Sequence, residues 1–263
     1  MIKVLRAEAR KLRRPTLALP TLAAAMGLTA LTTSLLYLLI DSPSGNGREG
    51  IRVSAKQLSL PDGVVYSFQS AATLLGVIAL CVFAAQTAQE YTYGTLRNLL
   101  LREPSRMKIL LGKYVAMSIF AFLIVLTSAA ISIGLSFALA TDAKVSTVLW
   151  TSLDGKSAIV HALANALLAT IGFGTLGMIL GLLLRSPITA ISIGVIWLLI
   201  VENLLSAVVK NADKWLPGMQ LGVVAMGGSL SNTYSRALGV AGIYILIGAV
   251  LAAVLFKRRD VAN

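Results

Sequence analysis

Apolar residues in this chain are gathered into long unbroken runs rather than spread at core-forming intervals. Residues 16–40 carry no charge at all. Similar runs cover 63–88, 114–140, 157–184, 188–207 and 237–256. At about 1.5 Å per residue in a helix, about 20 residues cross a hydrocarbon layer of roughly 30 Å. The pattern therefore predicts six transmembrane helices in one domain, 1–263, and an all-α polytopic membrane fold.

The polar stretches between the runs carry the finer signals. Residues 1–14 alternate at helical spacing, with Ile2, Leu5, Ala9 and Leu12 on one face and Arg6, Arg10, Arg13 and Arg14 on the other. This predicts an N-terminal amphipathic helix on an anionic lipid surface, turning inward at Pro15. A cleaved signal peptide is the rival reading; the apolar run that follows is too long for a usual signal core. Stretch 41–62, with Pro43, Gly45, Gly47 and Pro61, reads as a loop, and 185–187 as a tight turn. Stretch 208–235 is apolar but short and Gly-rich, which predicts short re-entrant helices before span six.

The longest patterned interruption is 89–113, QEYTYGTLRNLLLREPSRMKILLGK. Glu90 closes span two, and Gly94 with Thr95 restarts the backbone. Leu96, Leu99 and Leu100 follow at helical spacing, opposite Arg97, Asn98 and Arg102, until Pro104 ends the turn. Such a short amphipathic helix either docks on something outside the bilayer or lies among the headgroups.

Composition agrees with the membrane reading: 57% of residues are hydrophobic and 13% charged, against about 25% charged in soluble domains. Mean hydropathy is +0.82. The net charge of +12 speaks less of nucleic acid than of sidedness. Six spans put both termini on one side with 89–113 and Arg185, and that side holds 15 of the 23 Lys and Arg residues against 8 opposite. The positive-inside bias assigns it to the cytoplasm of an inner (plasma) membrane protein.

Catalytic chemistry is sparse. Gly155-Lys156-Ser157 is the nearest approach to a phosphate-binding loop, but position 150, where the first glycine belongs, is Trp150. His161 is the only histidine and Cys81 the only cysteine, so neither a metal cluster nor an intrachain disulfide is expected. A His161–Ser229 dyad would need a contact that spacing does not support; an interfacial histidine is the simpler reading. Glu202 is the lone acid inside a span: it either reaches water near the span's end or, with Asn165, lines a translocation path. Gly177 and Gly181 give span four a small-residue face for packing, within the chain or against another subunit. Ser128, Ser132 and Ser136 give span three a similar stripe.

Taken together, the layout and the segment Glu90…Gly94-Thr95-Leu96-Arg97…Leu100…Pro104-Ser105-Arg106…Gly112-Lys113 resemble the type-2 ABC transporter permeases, the membrane subunits of ATP-binding-cassette exporters. The resemblance implies a coupling helix seated in a groove of a separate ATPase subunit, with Thr95, Leu96, Arg97, Leu99 and Leu100 as its docking face and Glu90 at its hinge. It also implies a dimer with a second or homologous permease, and ATP with Mg on the partner and no cofactor here. Spans two and five would line the path of an amphipathic or lipid-like cargo: a drug, peptide or lipid. The importer-type permease motif is absent, since no Glu-Ala-Ala precedes Gly94. A reading of another class stays open: a non-transporting immunity or sensor protein binding a cytoplasmic regulator through the same loop.

Overall fold

The computed structural model describes residues 2–40, 53–102, 104–229 and 232–258. Among them every regular element is helical. In chain order these are α1 (Ile2–Leu12), α2 (Pro15–Leu38), α3 (Ala55–Leu58), α4 (Gly63–Thr92), α5 (Thr95–Arg102), α6 (Arg106–Ala140), α7 (Leu153–Leu184), α8 (Pro187–Ile196), α9 (Glu202–Val208), α10 (Pro217–Ala225) and α11 (Tyr234–Arg258). A π-helical turn, Trp197–Val201, joins α8 to α9, so the two read as one span of 22 residues. Six helices are long and apolar enough to cross a membrane, and the chain is a multi-pass membrane protein by that measure.

The helix ends differ from the hydropathy pattern. The sequence places 89–92 and 106–113 in a polar loop, yet α4 runs through to Thr92 and α6 starts at Arg106. With 35 residues, α6 is about 50 Å long, well over the roughly 30 Å a bilayer core requires. Polar residues sit comfortably in these extensions because they are paired with one another, as described below.

Helices α4 and α7 form the centre, lying side by side where glycine removes the side chain. A Cβ on Gly177 would collide with the Leu80 carbonyl, and one on Gly181 would sit 2.7 Å from the Ala84 carbonyl oxygen. Helix α6 adds hydroxyls: Ser132 bonds Thr33 on α2 and Ser67 on α4, each at 3.0 Å, and Ser136 bonds Ser67 at 3.1 Å. In an apolar surround such bonds join helices that hydrophobicity alone cannot hold together.

The molecule has two ends. At one, α1 packs on α6, and a Cβ on Gly112 would meet the side chain of Val4 at 2.8 Å. The other is closed by Trp150, 1% exposed, whose Nε1 donates to the Leu58 carbonyl at 2.8 Å. Between spans five and six, α10 has nine residues, about 14 Å of helix, too short to cross the bilayer. It is held on both sides by polar contacts: Gln220 donates to the Asp213 carbonyl at 2.7 Å and accepts from Asn232 at 2.8 Å.

Candidate functional site

Helix α5 begins where Gly94 adopts φ +61°, the left-handed region that favours glycine, so the chain turns sharply off the end of α4. Thr95 and Asn98 are exposed, Leu99 is half-buried, and Leu100 packs on the main core. The side chains of Leu96, Arg97 and Arg102 lie outside the described residues. The large apolar side chains that α5 and its entry turn leave most open are Leu101, 80% exposed, and Tyr93, 73%. The sequence reading did not include either in the docking face, because both fall off the 96, 99, 100 register.

The end of α4 from which α5 departs is fixed by four charges from three elements. Lys113 Nζ on α6 lies 2.6 Å from Glu8 Oε2 on α1 and 2.9 Å from Glu90 Oε1 on α4. Lys11 Nζ lies 2.6 Å from Glu8 Oε1 and 2.8 Å from Glu90 Oε1. Lys113 also donates to the Gln86 carbonyl at 3.2 Å. Acids and bases alternate around this square and its net charge is zero, the condition under which buried charge is tolerable. Glu8, Glu90 and Lys113 are almost wholly buried and Lys11 is about one-third exposed. Burial pushes the Glu8 carboxyl upward, but Lys113 and Lys11 outweigh it and hold the group below the ordinary carboxylate range. For Lys11, burial lowers and the Glu90 and Glu8 carboxylates raise; the carboxylates prevail.

Glu8 and Lys11 were not among the sequence-selected residues. The expected apolar face of α1 ran through Ile2, Leu5, Ala9 and Leu12. In the structure the buried positions are Val4, Glu8 and Leu12, a stripe at four-residue spacing with an acid at its middle. A lone acid on that stripe, in a helix otherwise rich in cations, was the available signal. One of its two partners, Lys11, is three residues on; the other, Lys113, lies 105 residues away.

The neighbouring ends are tied to the same region. Arg106 donates to the Phe256 carbonyl at 2.8 Å, joining α6 to α11. Arg185, at the left-handed cap of α7, stacks over the Tyr91 ring at 5.3 Å.

At the opposite end the ends of α4, α7 and α11 and the turn after α10 line an open cavity of about 760 Å³, with Asp62, Gln69, Asp154, His161, Asn165 and Tyr234 among its walls. Asn165 therefore faces open space. Glu202 does not line that cavity. It is 1% exposed and caps α10: its carboxylate accepts from Gly218 N at 2.9 Å, Met219 N at 2.8 Å and Trp197 Nε1 at 2.9 Å. A carboxylate at a helix N-terminus is favoured by the unpaired N–H groups there, and it explains how an acid resides in a span without reaching water. Gly177 and Gly181 pack on α4. His161 Nδ1 hydrogen-bonds within its own helix, to the Ser157 carbonyl at 2.9 Å, and Ser229 bonds Asn232. Among the described residues no three His, Cys, Asp or Glu side chains gather as for a metal ion.

A comparison with curated proteins finds no match. The family model described as "Protein of unknown function (DUF2705)" matches residues 49–262. The match includes Glu90, α5 and Lys113, and it starts after α1 with Glu8 and Lys11. With most of its length matched, this chain belongs to the DUF2705 family.

Proposed function

We propose that this chain is the transmembrane permease subunit of an ATP-binding-cassette exporter, driven by a separate ATPase subunit that docks on α5. One observation carries the reading: α5 projects between two membrane-spanning helices with Leu101 and Tyr93 uncovered, while the end of α4 that leads into it is tied to α1 and α6 by the Glu8–Lys11–Glu90–Lys113 square. A helix built that way passes a push to several spans at once instead of bending alone. Nucleotide-driven closure of the ATPase would then shift the permease between two states, provided the partner binds one of them more tightly.

On this reading the chain hydrolyses no nucleotide, and ATP and Mg belong to the partner. The end bearing α1 and α5 is cytoplasmic, as its share of Lys and Arg favours. A second or homologous permease completes the pair, and α10 is a re-entrant helix of the outer face. The cargo is amphipathic or lipid-like, and no nucleic acid is involved.

The test is co-purification. An ATPase subunit, if one is found encoded beside this chain and co-expressed with it, should be retained by the wild-type permease and lost when Leu99 and Leu101 are both changed to Asp. With Glu90, Lys113 and α1 intact, the variant permease should remain folded by size-exclusion. Undiminished retention of the ATPase would contradict docking at α5. Vigorous ATP hydrolysis by the purified chain alone would contradict the division of labour.

A further inference from the structure

We infer that the cavity at the end of the molecule opposite α1 and α5 binds an organic cation with an apolar body. Its volume of about 760 Å³ falls within the range of roughly 300–1,000 Å³ typical of small-molecule sites. Two carboxylates, Asp62 at the start of α4 and Asp154 in the first turn of α7, stand exposed along its wall on different helices. Among the described residues neither has an ion-pair partner and no Lys or Arg lines the cavity. In a chain of net charge +12 this is a local reversal of sign, and it attracts cations selectively.

The remaining polar walls include uncharged and aromatic-ring groups on α7. His161 Nδ1 lies 2.9 Å from the Ser157 carbonyl oxygen and 3.2 Å from the Ser157 hydroxyl, so both contacts with Ser157 fall on Nδ1. Asn165 adds an amide oxygen on the same helix face, one turn further on. Tyr234 adds an aromatic side chain to the wall, the residue type that attracts organic cations, and Met226 an apolar, adaptable one. An inorganic cation would use the carboxylates and leave the ring and the thioether idle; a quaternary ammonium or phosphonium with hydrocarbon groups uses both. The ammonium could come from a free organic cation or from a choline headgroup.

That such a ligand is cargo rests on the permease reading; that the cavity binds it does not. The experiment uses the full chain in uncharged maltoside micelles without any ATPase, so its outcome and that of the docking test are independent. Equilibrium dialysis measures saturable binding of tetraphenylphosphonium, with tetraphenylborate as the anion of matching shape. The expected result is one saturable site for the cation, none for the anion, and about ten-fold weaker binding in the Asp62→Asn/Asp154→Asn variant, as the loss of two partly solvated charge contacts implies. Asp142→Asn, an exposed acid outside the cavity, should bind as wild type. If the double variant does not stay monodisperse, each single Asn variant should weaken binding about three-fold. Displacement by a short-chain phosphatidylcholine would identify a headgroup as the occupant, and failure to displace a free cation. No saturable cation site, equal binding of the anion, or unchanged affinity in the Asn variants would overturn the inference.

Discussion

Lys113 is the residue whose removal should be felt most. It contacts both buried carboxylates of the charged square, so Lys113→Met leaves Glu8 and Glu90 short of a cation in a site that excludes water. Breaking a buried pair in this way costs roughly 3–5 kcal/mol, whereas replacing a whole buried ion set by apolar residues is often close to neutral. Thermal unfolding in detergent should therefore show a large drop for Lys113→Met and a much smaller one when Glu8, Lys11, Glu90 and Lys113 are all changed to Leu. Equal drops would mean that the square is not a coupled unit. The pH dependence follows from the two displaced groups. Glu8 titrates below its ordinary 4.5, so its contribution is present above that value and lost as pH falls through the depressed one. Lys11 titrates above its ordinary 10.5, so its contribution is present below that value and lost as pH rises through the raised one. The difference in melting temperature between the wild type and the all-Leu variant should be flat between about pH 5 and pH 10 and change on either side; a transition near pH 7 in that difference would contradict this. At this scale the sequence was partly legible. Glu90 stood out because it closes an apolar run, but its partners Lys11 and Lys113 come from α1 and α6, and no local rule reveals pairings between separate helices.

At the scale of elements, hydropathy located all six spans because uncharged runs of that length have no other common use. It misplaced the ends of α4 and α6 that flank α5, since a polar helical extension looks like a loop until its partners are known. The glycines of α7 were legible as a packing face, but the face against which they pack was not: a small-residue stripe has the same appearance whether the neighbour is α4 or another subunit. The geometry makes this testable. Gly177→Ala sets a methyl against the Leu80 backbone carbonyl, which cannot yield as a side chain can. Overpacking of this kind costs roughly 1–3 kcal/mol. Gly239→Ala on α11 meets nothing within 4 Å and should be neutral within about 0.5 kcal/mol. Comparable melting temperatures for the two variants would contradict the close α4–α7 contact. Glu202 illustrates the opposite limit: the sequence marked it as anomalous, but its role as a cap depends on α10 folding back onto span five.

For the whole molecule, the division into two ends organises everything else. One end gathers α1, α5, the α7 cap and the last turns of α11 around a neutral, buried set of charges. The other carries an acid-lined cavity bordered in part by the turn after α10. Helix α11 and the α8–α9 span remain largely uncovered along their apolar lengths, surfaces suited to lipid or to the second permease of the proposed pair. The central claim is that α5 stands in the cytoplasm and is covered there by an ATPase. The most direct measurement replaces Cys81 by Ser and Leu101 by Cys, then treats membrane vesicles with a membrane-impermeant maleimide, with and without the ATPase subunit. The account predicts labelling in inside-out vesicles only, and its loss once the ATPase is bound. Labelling in right-side-out vesicles, or labelling unaffected by the ATPase, would contradict it.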